Sequence, residues 1–142
     1  MNKPLWRCGE CGRTFANPNQ THTCAGLRDL AAHFVNRESR PLFDAFADAV
    51  RRCGPVEILP EKTRIAFHVR MSFAQITPRR DYLLGHFVFA RRVEHPRFRK
   101  IETMSARNHV HHFRIDSAGD IDAQFREWIA EAYAVGEQRH IS

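Results

Sequence analysis

The chain has 142 residues, of which 43% are hydrophobic and 27% are charged, and its net charge is +6. This length and composition indicate a soluble globular protein of one domain with a small appendage. The longest uncharged stretch, residues 82–90, is far shorter than the roughly 20 residues that cross a bilayer, and no export signal opens the sequence. We therefore expect a cytoplasmic protein with no membrane partner. In that compartment four cysteines favour metal ligands or free thiols over disulfides.

Residues 1–26 are rich in Cys, Gly, Asn and Thr and have too few aliphatic side chains to bury a core. Cys8 and Cys11 form a Cys-x-x-Cys pair followed by glycine, a spacing at which two thiolates grip one ion. His22 and Cys24 complete a Cys₃His set, one of the usual closed tetrahedral sites. The sequence therefore predicts a finger over residues 1–26 that holds one structural Zn²⁺ and leaves no position for a catalytic water.

Three alternatives to this zinc site are open. A thioredoxin-like redox pair normally follows a strand in a βαβ unit, and nothing of that kind precedes Cys8. The cysteines could also be scattered free thiols. Cys53 could replace His22 as the fourth ligand, but it lies on the apolar stripe of a predicted helix, where a small buried thiol is ordinary. We favour His22 for that reason.

Residues 27–142 are predicted to form an α+β domain, and its helices follow from apolar side chains at helical spacing. The first stripe runs from Leu27 to Val35. Ser39 and Pro41 are typical of the start of a second helix, which Gly54-Pro55 ends. Residues 117–120 have the spacing of a capping box before a closing helix, which we expect to dock on the sheet through Phe125, Trp128 and Ile129.

Alternation of apolar and polar residues predicts strands between these helices. The candidate runs are residues 56–59, 64–70, 72–76, 82–91, 100–104 and 108–115. We expect them to form an antiparallel meander of about four to five strands. The N-terminal helices and the C-terminal helix would cover its apolar face.

The positive charge is concentrated in residues 61–115, where twelve Lys and Arg residues stand against four Asp and Glu residues. A concentrated basic segment suggests a polyanionic partner such as nucleic acid, because guanidinium groups suit phosphate oxygens. The candidate contacts are Arg79, Arg80, Arg91, Arg92, Arg97 and Arg99. The alternative is that these side chains are scattered over the domain, each solvated or paired with the nearest carboxylate.

Other clusters of reactive side chains are weaker candidates. The histidines between His68 and His112 could suggest a second metal site, but no Asp or Glu lies within the His-rich strand. We therefore interpret them as polar residues of a strand face. Glu57, Glu61 and Lys62 faintly resemble the set of a metal-dependent nuclease, although Glu61 and Lys62 are adjacent in a turn. No catalytic residues are assigned.

Four stretches resemble a bacterial family of uncharacterised domains, domain of unknown function fifty-six fifty-five (DUF5655). They are residues 40–46, residues 73–80, residues 111–115 and residues 120–133. The resemblance spans residues 40–134, and the finger is similar to leaders that precede such domains. Related domains stand beside nuclease-like or restriction-associated modules, so the resemblance implies contact with nucleic acid by analogy alone.

We therefore expect a zinc-binding accessory protein that is not an enzyme and that contacts nucleic acid through a basic sheet surface. The alternative is a module that binds a protein or a small anion, with zinc in a purely structural role. A hydrolytic or nuclease-like enzyme is the least favoured hypothesis.

Overall fold

The computed structural model describes residues 4–7, 14–15 and 29–139. Near the N-terminus two short strands, β1 (Trp6–Arg7) and β2 (Thr14–Phe15), pair antiparallel, with Trp6 opposite Phe15 and Arg7 opposite Thr14. This pair is separate from the main sheet. The described part of the chain is an α+β fold, as the sequence predicts.

The main sheet has six antiparallel strands, more than the four to five that we expect from the sequence. Their bounds are β3 (Glu57–Pro60), β4 (Ile65–His68), β5 (Ser72–Pro78), β6 (Leu83–Phe89), β7 (Lys100–Ser105) and β8 (Asn108–Ile115). Each strand overlaps one of the predicted runs. Alternation therefore identifies every strand of the main sheet, although the expected number of strands was too low.

The strand order is β3-β4-β5-β6-β8-β7, so the expected meander is wrong at its last two strands. β6 pairs with β8 over seven positions, from Leu83 opposite Ile115 to Phe89 opposite His109. β7 lies at the edge, and most of its side chains are exposed. The reason is burial: β8 presents Phe113 and Ile115 to the core and belongs between two strands, whereas β7 has little apolar surface to bury.

The first predicted helix is only a short 3-10 helix, Leu30–Phe34, because the following Asn36 adopts a positive φ of 58° and turns the chain. The second forms as helix α1 (Arg40–Arg51), directly after Ser39 with Pro41 in its first turn. Ser39 does not cap the helix with its side chain. Its Oγ instead donates a hydrogen bond to the carbonyl oxygen of Arg79, 2.7 Å away, and ties α1 to the turn between β5 and β6.

The closing helix α2 (Ala123–Gly136) begins later than the capping box predicts. The box forms between Ser117 and Asp120, but it closes a single 3-10 turn. The carboxylate of Asp122 caps α2 by accepting a hydrogen bond from the backbone N–H of Phe125 at 2.9 Å. Neither helix within residues 29–139 has the length and apolar character that crossing a membrane requires.

Both helices pack on one face of the sheet around a cluster of aromatic rings. Phe46 of α1 lies in contact with three strands, its ring centroid 5.1 Å from that of Phe67 and 6.1 Å from those of Phe87 and Phe113. Phe125 of α2 joins the cluster, and Trp128 and Ile129 are also buried, which confirms the expected docking of α2. The core therefore occupies one face and leaves the second face of the sheet for other contacts.

Candidate anion-binding grooves on the sheet

The four predicted zinc ligands, Cys8, Cys11, His22 and Cys24, lie outside the described residues. The described strands β1 and β2 nevertheless stand immediately before and after residues 8–13, which carry the Cys-x-x-Cys pair. Cys53, the alternative ligand, follows α1, and its thiol donates a weak hydrogen bond to the carbonyl oxygen of Ala49 at 3.9 Å. Across residues 29–139 no group of three or more His, Cys, Asp or Glu side chains is arranged to hold a metal ion.

Three of the six predicted phosphate contacts are paired with carboxylates. Arg91 makes two hydrogen bonds to Glu131 at 2.9 and 3.0 Å. Arg92 pairs with Glu94 at 3.2 Å. Arg97 pairs with Asp122 at 3.2 Å, donates to the carbonyl oxygen of Asp120 and lies over the rings of Phe125 and Trp128. These arginines hold α2 and nearby loops in place.

The six predicted arginines lie at several places around the sheet. Arg79 and Arg80 lie just before β6, and Arg91 and Arg92 lie just after it, so the length of a seven-residue strand, about 20 Å, separates the two pairs. Arg99 stands beside β7, where its backbone N–H donates to the carbonyl oxygen of His112. The proposal of a single surface built from all six therefore has no geometric support in the described residues.

A different set of cations remains without a carboxylate partner. Within residues 29–139, the Lys and Arg side chains with no carboxylate at ion-pair distance are Arg37, Arg52, Lys62, Arg79, Arg80, Arg99 and Arg126. Three of them, Arg37, Lys62 and Arg79, line one cavity of about 380 Å³. We call this cavity the Arg79 groove, and its polar lining is His33, Arg37, Lys62, Thr63, Thr77 and Arg79.

Local hydrogen bonds bring three distant segments together around the Arg79 groove. Two hydrogen bonds fix the turn after β5. Ser39 Oγ donates to the carbonyl oxygen of Arg79, and the backbone N–H of Arg79 donates to the carbonyl oxygen of Tyr82. Arg37 Nη1 donates to the carbonyl oxygen of His33 at 2.6 Å, which anchors its guanidinium group at the groove. Lys62 and Thr63 come from the turn between β3 and β4. None of the lining residues in the described chain is a carboxylate.

His33, which lines the Arg79 groove, contains one unsatisfied polar atom. The residue is 6% exposed, and its Nε2 has no hydrogen-bond partner in the structure. A buried polar atom left unpaired costs about 1–3 kcal/mol, so such atoms are rare and usually mark a place that a ligand or water completes.

A second groove of about 370 Å³ lies on the sheet face opposite the helices. We call it the His86 groove, and its polar lining is Arg64, Thr77, His86, Arg99, Lys100 and His112. Strand register explains the arrangement, because Gln75, His86, His112 and Lys100 occupy one row across β5, β6, β8 and β7. Thr77 lines both grooves, so the two adjoin at this residue.

His86 is held neutral at physiological pH. Burial, with smaller contributions from the nearby His112 and Arg64, lowers its pKa from 6.5 to about 4, and Glu102 partly opposes this shift. Its neighbour Gln75 has a buried Oε1 without a hydrogen-bond partner. The His86 groove therefore contains one neutral imidazole among its cations.

Glu102 is the carboxylate nearest to the His86 groove. It contacts Nε2 of His112 at 2.6 Å and lies 3.7 Å from Nζ of Lys100. The hydrogen bond to His112 and the charge of Lys100 lower the pKa of Glu102, so it is ionised at neutral pH. Arg64 has a carboxylate neighbour as well, Glu61 at 3.9 Å. The cations of this groove are thus partly neutralised, in contrast to those of the Arg79 groove.

The histidines of β8 divide between the two faces, which corrects our interpretation of them as polar strand-face residues. His112 faces the His86 groove, but His109 and His111 are buried on the core side. Nε2 of His111 accepts a hydrogen bond from the backbone N–H of Val93 at 2.8 Å, and burial lowers its pKa. His111 therefore fastens the loop after β6 to the sheet.

The sequence missed His33, Arg37, Lys62 and Thr63 as members of a site. They lie in a 3-10 helix, a loop and a turn, and no periodic pattern links them to Arg79. The sequence pointed toward this site only through the position of Lys62 in a turn and through the basic residues that follow Pro78. The grouping depends on tertiary contacts.

The described chain is thus an α+β protein in which two helices cover one face of a six-stranded antiparallel sheet and a groove with basic side chains lies on the other face. A family model described as "Domain of unknown function (DUF5655)" matches residues 31–136, most of the chain, and the protein belongs to this family. The matched region contains both grooves but none of the four predicted zinc ligands. No curated protein and no solved structure matches the chain.

Proposed function

We propose that this protein binds nucleic acid through its phosphates, along the adjoining Arg79 and His86 grooves. The observation that carries the proposal is the convergence of Arg37, Lys62 and Arg79 on one cavity without a carboxylate in its described lining. Like charges repel, so cations gather in this way where an anion offsets the repulsion. Guanidinium and ammonium groups are the usual partners of phosphate oxygens.

The shape of the surface supports a chain-like anion. The row from Gln75 on β5 to Lys100 on β7 crosses three strand spacings, about 14 Å. At about 3.4 Å per stacked nucleotide, that length accommodates on the order of four nucleotides. The described lining of the two grooves offers cations, hydroxyls and imidazoles but no exposed Phe, Tyr or Trp ring for base stacking, which favours contacts to the backbone over contacts to bases.

We further propose that one structural Zn²⁺, bound by Cys8, Cys11, His22 and Cys24, organises the N-terminal finger. Support comes from the antiparallel pairing of β1 and β2, which brings Arg7 opposite Thr14 on either side of residues 8–13. Two thiolates that share an ion suit the short spacing between these paired strands. The finger would add to the nucleic-acid contact or stabilise the chain.

Salt dependence tests the nucleic-acid proposal. Fluorescence anisotropy of a labelled single strand and of a duplex should show tight binding at low salt and a linear fall of log affinity with log salt concentration. Lys62→Ala/Arg79→Ala should weaken binding to all sequences alike and flatten that slope by roughly 1.5–2, because two phosphate contacts are lost. Arg91→Ala should have a smaller effect, since Glu131 already holds that guanidinium group.

A matched control separates the grooves from overall charge. Arg52→Ala/Arg126→Ala removes the same charge from two exposed arginines that also have no carboxylate partner in the described chain and that line neither groove. This control should bind like the wild type. Equal weakening by both pairs would show that net charge alone drives association. Absence of binding at protein concentrations about 100 times the micromolar range of non-specific contacts would refute the proposal.

A further inference from the structure

We propose that the Arg79 groove binds a phosphomonoester, the phosphorylated end of a nucleic-acid strand, while the His86 groove holds the diester backbone that follows. This inference rests on the proposed function, since it assigns different parts of the same ligand to the two grooves. Three observations support it: the charge of the Arg79 groove, the hydrogen-bonding groups in its lining and its connection to the His86 groove.

The charge of the Arg79 groove exceeds what one phosphodiester neutralises. A diester carries one negative charge, whereas a terminal phosphate carries about 1.5 to 2 at neutral pH. Arg37, Lys62 and Arg79 face this cavity with no carboxylate among its described lining residues. In the His86 groove, Glu61 stands beside Arg64 and Glu102 beside Lys100. The stronger anion therefore fits the Arg79 groove.

The donors of the Arg79 groove suit three phosphate oxygens better than two. Besides the three cations, the hydroxyl groups of Thr63 and Thr77 belong to its lining. His33 also lines the groove, and its buried Nε2 has no hydrogen-bond partner in the structure. A terminal phosphate has three oxygens free to accept hydrogen bonds, whereas a diester has two, so the terminal group satisfies more of these donors.

The shared residue Thr77 connects the two sites. It stands on β5 between the Arg79 groove and the row that contains His86 and His112. A strand whose end occupies the Arg79 groove can thus continue across β6 and β8 toward Lys100. Protein contacts along this path are with phosphates, so the preference concerns the end of the strand and not its sequence.

The test compares three single strands of about ten nucleotides and identical sequence, with a 5′-phosphate, a 3′-phosphate or no terminal phosphate, each labelled internally. Anisotropy titrations should show at least tenfold tighter binding of one phosphorylated strand than of the unphosphorylated strand. Lys62→Ala/Arg79→Ala should remove this difference, and Arg52→Ala/Arg126→Ala should retain it. All of these side chains are exposed, and thermal melts of both double variants check that the fold is intact.

Each outcome separates this inference from the proposed function. If all three strands bind equally, the inference is overturned and the proposed function stands. A preference that survives in Lys62→Ala/Arg79→Ala overturns the assignment to this groove. If no strand binds, the proposed function fails. A titration with a nucleoside 5′-monophosphate then tests whether the Arg79 groove binds a phosphomonoester. Binding that depends on Lys62 and Arg79 supports a phosphomonoester site, and absence of binding overturns it.

Discussion

His86 and His112 face each other across β6 and β8, with their ring centroids 5.4 Å apart in an edge-to-face arrangement. His112 and Arg64 both disfavour a charge on His86, and burial adds to this effect, so the pKa of His86 is lowered. His86 is therefore a neutral group within a basic surface. The stability of the fold acquires a pH dependence from it.

Stability should fall as the pH decreases from about 6.5 to about 4. Because the pKa of His86 is about 4 in the fold and near 6.5 in the unfolded chain, the unfolded state takes up a proton first across this window. At 1.36 kcal/mol per pKa unit, the loss is on the order of 3 kcal/mol. Urea unfolding at several pH values measures it, and His86→Gln should flatten the curve between pH 6.5 and 4. An NMR titration that places the pKa of His86 near 6.5 would contradict this prediction.

The purified protein should contain about one equivalent of zinc. Cys8→Ser and Cys24→Ser should abolish zinc binding, because each removes one thiolate from a four-ligand site. His22→Ala should weaken it, and Cys53→Ala should leave it unchanged. Elemental analysis of each variant after dialysis provides the measurement. Loss of zinc in Cys53→Ala with retention in His22→Ala would assign the fourth ligand to Cys53.

Trp128→Ala should destabilise the protein by roughly 3–5 kcal/mol. The indole is 4% exposed, and its ring contacts Phe98 at 4.5 Å and His95 at 4.8 Å between centroids, so its removal leaves a cavity. The exposed neighbour Glu127 provides the control, and Glu127→Ala should stay within about 0.5 kcal/mol of the wild type. Chemical denaturation of both variants tests the difference. A loss below about 1 kcal/mol in Trp128→Ala would mean that α2 is not anchored through this ring.

Gly85→Ala should destabilise the sheet by about 1–3 kcal/mol, as overpacking of a filled site does. A Cβ atom at Gly85 would lie 2.7 Å from the ring of Phe113 and 2.8 Å from the backbone oxygen of Gln75. Gly119→Ala is the matched control, since its nearest neighbour would be Ser117 Oγ at an ordinary 3.7 Å. Thermal unfolding should show a clear decrease in Tm for Gly85→Ala alone. Similar melting of both variants would argue against the close contact of β6 with Phe113.

Local patterns predicted the elements of this fold better than their arrangement. Ser39 and Pro41 mark the start of α1 because a helix N-terminus depends on a few adjacent residues. The place of β7 at the sheet edge depends instead on which strand buries more apolar surface. Alternation along β8 could have revealed that His109 and His111 share a face with Phe113 and Ile115. We gave polarity more weight than strand periodicity there, and that inference failed.

The Arg79 groove shows why the candidate site was only partly predictable. Arg79 was identified from charge alone, together with arginines that the structure pairs with Glu131, Glu94 and Asp122. Whether an arginine is paired depends on carboxylates far along the chain, as Arg91 and Glu131 illustrate. Sequence charge therefore predicts the sign of a surface, and only the fold identifies which cations remain available.

The order β6-β8-β7 also constrains how the chain assembles during its synthesis. The ribosome releases residues 100–105 before residues 108–115, yet β7 pairs only with β8. At roughly 5–20 residues per second, the emerging chain passes through a state in which β6 has an unpaired edge and β7 has no partner. Such an edge is a template for pairing with another chain. A nascent chain that stalls before residue 115 therefore exposes a strand edge that the folded sheet covers.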